Sequence, residues 1–190
     1  MAKIYIEDKT FAGEDFGDPV MEAGEYDNCI FSDVNLSNAS LADFNFIDCT
    51  FNNCDLSMAV LTKTAFRDVT FTYCKLLGLR FDDCDAFLLS VSFDNCILDF
   101  ASFFKLKLKK TKFINCQVQQ ADFSEADLAE SVFDQCNLSG STFDNTNLEK
   151  ADLRTAFNYR IDPEKNRIKK AKFSQHGLQG LLGKYDIDIT

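Results

Sequence analysis

Eight cysteines, one histidine, three neighbouring aspartates and three spaced glycines are the residues of this 190-residue chain whose types invite chemistry. The cysteines are Cys29, Cys49, Cys54, Cys74, Cys84, Cys96, Cys116 and Cys136. Zinc needs four converging thiolates, or histidines joining them at a local spacing of the Cys-x2-Cys kind, and neither pattern occurs. Disulfides belong to oxidising compartments, and the opening Met-Ala-Lys-Ile-Tyr-Ile-Glu-Asp has no secretory apolar run. His176 lies between Gln175 and Gly177, without an acidic neighbour or a nucleophile beside it, and reads as a solvated side chain. Gly177, Gly180 and Gly183 follow no strand-helix unit and lack the Lys-Ser/Thr of a phosphate loop. Asp82, Asp83 and Asp85 are close enough in sequence to pair as acid and base, but their slots in the pattern described next place them on a solvated corner. No catalytic, metal or cofactor site is expected, and the chain is not expected to be an enzyme.

The elements that position these residues follow from a period of five. From Phe31, large apolar residues recur at Leu36, Leu41, Phe46, Phe51, Leu56, Leu61, Phe66, Phe71, Leu76 and Phe81, and then at the small Ala86. After a seven-residue step the rhythm restarts at Phe93 and runs to Leu153. With Tyr26 as the first centre there are 26 units, and Met21 and Phe16 extend the rhythm weakly. A helix cannot use this period, because five residues turn it by about 140° and the large side chains would spiral round the axis. A straight strand cannot either, because each odd step would flip the large residue to the other face. A short extended triplet followed by a two-residue bend fits, and each unit is then one side of a polygon. Phe recurs at 31, 51 and 71 and at 93, 113 and 133, so twenty residues make one turn of four sides. The two extra residues before Phe93 are expected as a bulge within 87–92 at one corner.

All eight cysteines occupy the small slot two residues before a centre, which Ala, Ser, Thr and Val share. Free Cys in such a slot behaves as a small buried hydrophobe. Cys54, Cys74, Cys96, Cys116 and Cys136 fall in one column, with successive coils about 4.8 Å apart.

This pattern of a small residue, Asp or Asn, Leu or Phe and two variable residues resembles the pentapeptide-repeat proteins over about Tyr26 to Leu153. The resemblance implies an all-β fold, a right-handed quadrilateral β-helix with a short C-terminal helix. The 26 units would form a rod of roughly 31 Å. Both ends are similar to a narrower branch, the fluoroquinolone-resistance (Qnr-like) proteins that bind type II DNA topoisomerases. The similarity lies in Tyr-Ile-Glu-Asp-Lys-Thr-Phe-Ala-Gly-Glu-Asp-Phe (5–16), in Asn158-Tyr159 with Ile161-Asp162-Pro163, and in the segment Arg167 to Phe173. Ser174 is positioned to cap a short helix through Tyr185, which the glycines weaken. The resemblance implies a homodimer through that helix, with Leu178, Leu181, Leu182 and Tyr185 at the interface. It also implies a protein partner, DNA gyrase or topoisomerase IV, engaged by DNA mimicry and bearing on quinolone sensitivity.

The expected organisation is an N-terminal lead-in and cap over 1–20, the solenoid over 21–157, and a capping and dimerisation segment over 158–190. Both prolines, Pro19 and Pro163, lie outside the strong array, as ladder hydrogen bonding requires. No apolar run reaches the ~18 residues of a membrane span, and a cytoplasmic location is expected. The formal charge of −10 argues against direct nucleic-acid binding and against an anionic membrane. The charge is uneven: residues 1–100 carry 18 acids and 6 bases, and residues 101–190 carry 12 acids and 14 bases. Lys105, Lys107, Lys109, Lys110 and Lys112 fall in outward slots of one coil as a basic belt. Phe87, Leu88, Phe100 and Phe104 also fall in outward slots beside the corner defect, near Asp82 and Asp83, so 87–112 is a candidate partner surface, the alternative being a general interaction scaffold.

Overall fold

The computed structural model describes residues 4–13 and 21–188, and the Phe16 and Pro19 discussed above lie outside the described residues. Thirteen short strands follow one another: β1 Ile4–Glu7, β2 Thr10–Ala12, β3 Gly24–Asp27, β4 Ile30–Ser32, β5 Asn45–Ile47, β6 Thr50–Asn52, β7 Ala65–Arg67, β8 Val69–Thr72, β9 Val91–Asp94, β10 Lys112–Ile114, β11 Val132–Asp134, β12 Asp152–Leu153 and β13 Lys172–Phe173. A four-residue helix, α1 Gln179–Leu182, runs into a 3-10 turn over Gly183–Tyr185.

All pairing is parallel. Strands β2, β4, β6, β8, β9, β10, β11, β12 and β13 form one nine-stranded sheet, and β1, β3, β5 and β7 form a second. Phe31 faces Phe51 and Phe51 faces Phe71, a twenty-residue step, whereas Phe71 faces Phe93 across twenty-two. Single bridges such as Asn35 with Asp55 and Ser40 with Val60 join the other two sides. The architecture is a right-handed quadrilateral β-helix. Its ladder begins at β1, before residue 21, and ends at β13, beyond residue 157. Eight intervals in the long sheet make a stack of about 38 Å.

Most bends hold their shape through one residue in the left-handed region, the bends after Phe81 and Leu153 being exceptions. Asp48 (φ 50°), Asp68 (φ 54°), Lys110 (φ 62°) and Glu130 (φ 62°) share a single corner. Asp and Asn tolerate this conformation because their short polar side chains bond locally, which is why they fill so many of these slots.

Inside, the centres stack in four files. Neighbouring rings in the Phe31 file lie parallel, with Phe113 and Phe133 4.6 Å apart at 2°. Rings in adjacent files meet edge to face, with Phe113 and Phe123 5.9 Å apart at 90°. Both are preferred geometries of the aromatic quadrupole, and a narrow square interior offers both at once, which accounts for the dominance of Phe. The small slot has a second duty that its size alone does not reveal. Cys54 Sγ donates to the Phe31 carbonyl (3.3 Å), Cys136 Sγ to Phe113 (3.3 Å), Thr64 Oγ1 to Leu41 (2.7 Å) and Thr146 Oγ1 to Phe123 (2.8 Å). A donor there satisfies a buried carbonyl of the preceding coil.

Candidate functional site

The extra residues interrupt the Tyr26 side of the square. Ala86, a centre by spacing, is exposed, because two added residues push this side outward; Leu89 folds back against the core in its place. Leu88 has a left-handed φ of 58° and its side chain is displayed, while by register Ser90 takes the corner position over Asp68. Phe87 and Leu88 are 68% and 64% exposed. The insertion, residues 86–90, rests on the coil below through Asp85 N to the Thr64 carbonyl (2.9 Å) and Ser90 N to the Phe66 carbonyl (3.0 Å). Among the described residues no backbone hydrogen bond joins residues 84–90 to residues 104–110 above them. The four-stranded sheet accordingly stops at β7, and pairing on this side resumes only where Lys107 bridges Asp127.

Directly above lies the lysine coil. Lys105, Lys107, Lys109, Lys110 and Lys112 are all exposed. Lys105 pairs with Glu125 (3.6 Å) and lies 4.5 Å over the Phe104 ring, and Lys109 pairs with Asp127 (3.2 Å). The structure does not gather the four apolar residues of 87–112 into one patch. Phe87 and Leu88 lie on the Tyr26 side, half-buried Phe104 on the Leu41 side, and Phe100 one corner further round. By register Phe100 stands over Gly78 and exposed Met58 of the two coils below, with exposed Leu77 next to Gly78. Comparing residues one coil apart across the 22-residue step would have found this grouping; the linear order of the chain hides it.

Asp82 departs from the expected solvated corner. It sits one coil beneath Phe104, its side chain is only 9% exposed, and its Oδ2 accepts from Arg80 Nη2 at 2.5 Å. Arg80 also reaches Asp83 at 3.4 Å, and Asp85 lies 3.7 Å from Arg67. Each of these aspartates is therefore engaged by an arginine. That is an ion-pair arrangement and not a carboxylate dyad sharing a proton.

Charge changes sign along one corner. From the N-terminal end it carries Asp8, Asn28, Asp48 and Asp68, then Ser90, then Lys110, Glu130, Lys150 and Lys170. The outer thiol chemistry expected of reactive cysteines is missing here. Burial pushes the Cys49 thiol up to about 12 and raises that of Cys84; the neighbouring Cys136 thiol, with burial, holds Cys116 at about 12. A thiol so shifted stays protonated and unreactive. Among the described residues no cluster of His, Cys, Asp or Glu is arranged to hold a metal, and no helix is long and apolar enough to cross a membrane.

At the C-terminal end the expected helix from Ser174 to Tyr185 is shorter, with only Gln179–Leu182 helical. Ser174 Oγ accepts from Gly177 N (3.1 Å), closing a turn and not a long helix. Gly177 and Gly180 are required by close approach: a Cβ at either would fall against the Tyr159 ring or its hydroxyl. Leu181 packs on the core, Leu178 is 46% exposed and Leu182 is half-buried. Tyr185 donates to Glu164 (3.0 Å), and Lys184 pairs with Asp162 (2.8 Å) and Glu164 (2.7 Å), tying the tail to its own chain.

Comparison with known proteins agrees with this geometry. The pentapeptide repeat region matches residues 24–87 and 86–158, meeting at the insertion. No curated protein matches the sequence. Among solved structures, a trypsin-treated variant of QnrB1, described as a plasmid-mediated fluoroquinolone resistance protein, superposes with a TM-score of 0.62 at 18% identity over 99% of this chain and 98% of that one. Full-length QnrB1 gives 0.52 at 18% identity over 96% and 100%. At that identity the likeness is one of fold. The repeat match, spanning most of the solenoid on both sides of the insertion, carries the assignment, and the chain belongs to the pentapeptide-repeat family.

Proposed function

We propose that this chain acts by binding another protein, without catalysis, and that the partner is a type II topoisomerase, DNA gyrase or topoisomerase IV. The acidic half of the rod would occupy the basic saddle that receives duplex DNA. One observation carries this reading: an elongated, straight stack whose acids are concentrated in its first hundred residues, 18 against 6 bases, and aligned on a corner through Asp8, Asp48 and Asp68. Such a surface is drawn to a cationic groove by the same long-range field that draws DNA. The description of QnrB1 as a fluoroquinolone resistance protein supports the extension that binding alters the enzyme's response to quinolones.

A homodimer through the C-terminal segment lengthens the mimic, with exposed Leu178 and half-buried Leu182 as the apolar contacts and Tyr185 at the margin. Two stacks would span about 76 Å, a length over which duplex DNA carries about 45 phosphates. The two copies carry −10 each, so the mimicry is partial and rests on the N-terminal halves. In a gyrase supercoiling assay with and without a quinolone, micromolar protein is expected to inhibit the enzyme or protect it from the drug. Asp8→Lys with Asp48→Lys is expected to abolish the effect. No effect of the unmodified protein in either condition rejects the reading.

A further inference from the structure

The seam between the insertion and the lysine coil has features that the topoisomerase reading does not use, since its charge is opposite to that of the acidic half. Five lysines stand within eight residues of a chain whose net charge is −10. Among the described residues, Lys107, Lys110 and Lys112 have no carboxylate within 4.0 Å. Of the acids nearest in register, Asp127 is paired by Lys109 and Glu130 by Lys150 (3.1 Å), while Asp68 keeps its charge and accepts from Ser90 Oγ (2.7 Å). Below Lys110 and Lys112, a groove of about 390 Å³ at the corner is lined by these two lysines, by Thr70, Ser90 and Ser92, and on its far wall by Asp68. Thr70 Oγ1 and Ser92 Oγ are 3.1 Å apart, so both hydroxyls lie at one place in it. By register Ser90 stands between Asp68 and Lys110, and two residues before it exposed Leu88, with Phe87 beside it, flanks the groove.

We propose that this seam seats a short acidic segment of a partner protein, which brings carboxylates to Lys107, Lys110 and Lys112 and one large apolar side chain to Phe87 and Leu88. The charge argument fixes both the sign and the size of the occupant. Three unpaired ammonium groups call for an anion. The surrounding net charge of −10 repels an extended polyanion, which would have to cross the acidic half of the rod, whereas a segment of a few carboxylates meets only the local lysines. The exposed apolar pair beside the groove adds what charge alone lacks, an anchor that a partner side chain would desolvate. The broken ladder permits such a seat, because the insertion is hydrogen-bonded only to the coil beneath it.

The test uses the full chain and a fluorescein-labelled peptide of alternating Glu and Asp with a single central Phe, followed by fluorescence anisotropy. Two further peptides are measured, one with Phe replaced by Ser and one with every acid replaced by its amide, together with duplex DNA and vesicles containing phosphatidylserine. The acidic Phe peptide is expected to bind, to weaken as salt is raised, and to lose about tenfold or more in affinity on amidation. Lys110→Glu with Lys112→Glu is expected to abolish binding, Phe87→Ser with Leu88→Ser to weaken it about tenfold, and Lys165→Glu, a charge change elsewhere, to leave it unchanged. Circular dichroism of each variant confirms that the fold is retained. Absence of peptide binding, equal binding by all variants, or preference for DNA or for vesicles over the peptide overturns the proposal.

Discussion

The rings of Phe113 and Phe133 lie 4.6 Å apart and within 2° of parallel, and neither residue is exposed to solvent. Phe113 also stacks on Phe93 at 5.1 Å and meets Phe103 and Phe123 edge on. Truncating Phe113 to Ala removes four aromatic contacts and opens a cavity between coils, so it is expected to cost about 3–5 kcal/mol in urea unfolding. Lys112→Ala, one residue away and outward, is expected to cost under about 0.5 kcal/mol. Equal costs would contradict the division into inner and outer residues.

The buried thiols give the solenoid an alkaline limit. Burial moves Cys49 from its ordinary 9.0 to about 12, so the folded chain holds that proton where the unfolded chain releases it. A raised value in the folded state means that this contribution is complete below pH 9, declines as pH rises above it, and is gone above about 12. Stability measured by urea midpoint is expected to be flat from pH 7 to 8.5 and to fall by pH 10.5, with Cys49→Ala reducing the fall. A thiol reagent at pH 8 is expected to label the native chain slowly and the unfolded chain at once. Rapid native labelling would mean that the thiols face outward.

The period of five was enough to place Phe31, Phe51 and Phe71 in one file and the cysteines in the slot behind it, because a constant spacing leaves no other register. The same spacing misplaced Ala86. Where the step changes from five to seven, periodicity no longer says which residue turns inward, and the interior selects the larger Leu89 over Ala86. Grouping of outward residues was also out of reach, since Phe87 and Phe100 are close in the chain but stand on different sides of the square. The expected helix failed at Gly177 and Gly180 for a related reason. Those glycines are placed for contact with Tyr159, a requirement of tertiary packing that local propensity does not express.

The insertion therefore makes a sharp prediction at two adjacent sites. Leu89→Ala removes a half-buried side chain packed on the core and is expected to destabilise the chain by about 1–2 kcal/mol. Ala86→Ser adds a hydroxyl to an exposed position and is expected to change stability by less than about 0.5 kcal/mol. Ranking the two variants by urea midpoint decides between the observed arrangement and the one the spacing predicts. A larger effect at position 86 would put Ala86 inside.

The C-terminal leucines divide in the same manner, and the division separates end-capping from association. Leu181 packs on the last coils beside Phe143 and Ile161, where an open solenoid end must be covered. Introducing a carboxylate there, Leu181→Asp, buries an unpaired charge and is expected to lower the melting temperature at every protein concentration. Leu178 is exposed, so Leu178→Asp is expected to leave the melting temperature of dilute protein unchanged. If the proposed dimer forms through this segment, light scattering of Leu178→Asp reports a monomer where the unmodified chain reports twice that mass. A dimer of unchanged size in Leu178→Asp and in Leu182→Asp would place the contact elsewhere on the rod. Loss of stability without loss of mass in Leu181→Asp is the outcome expected of a cap.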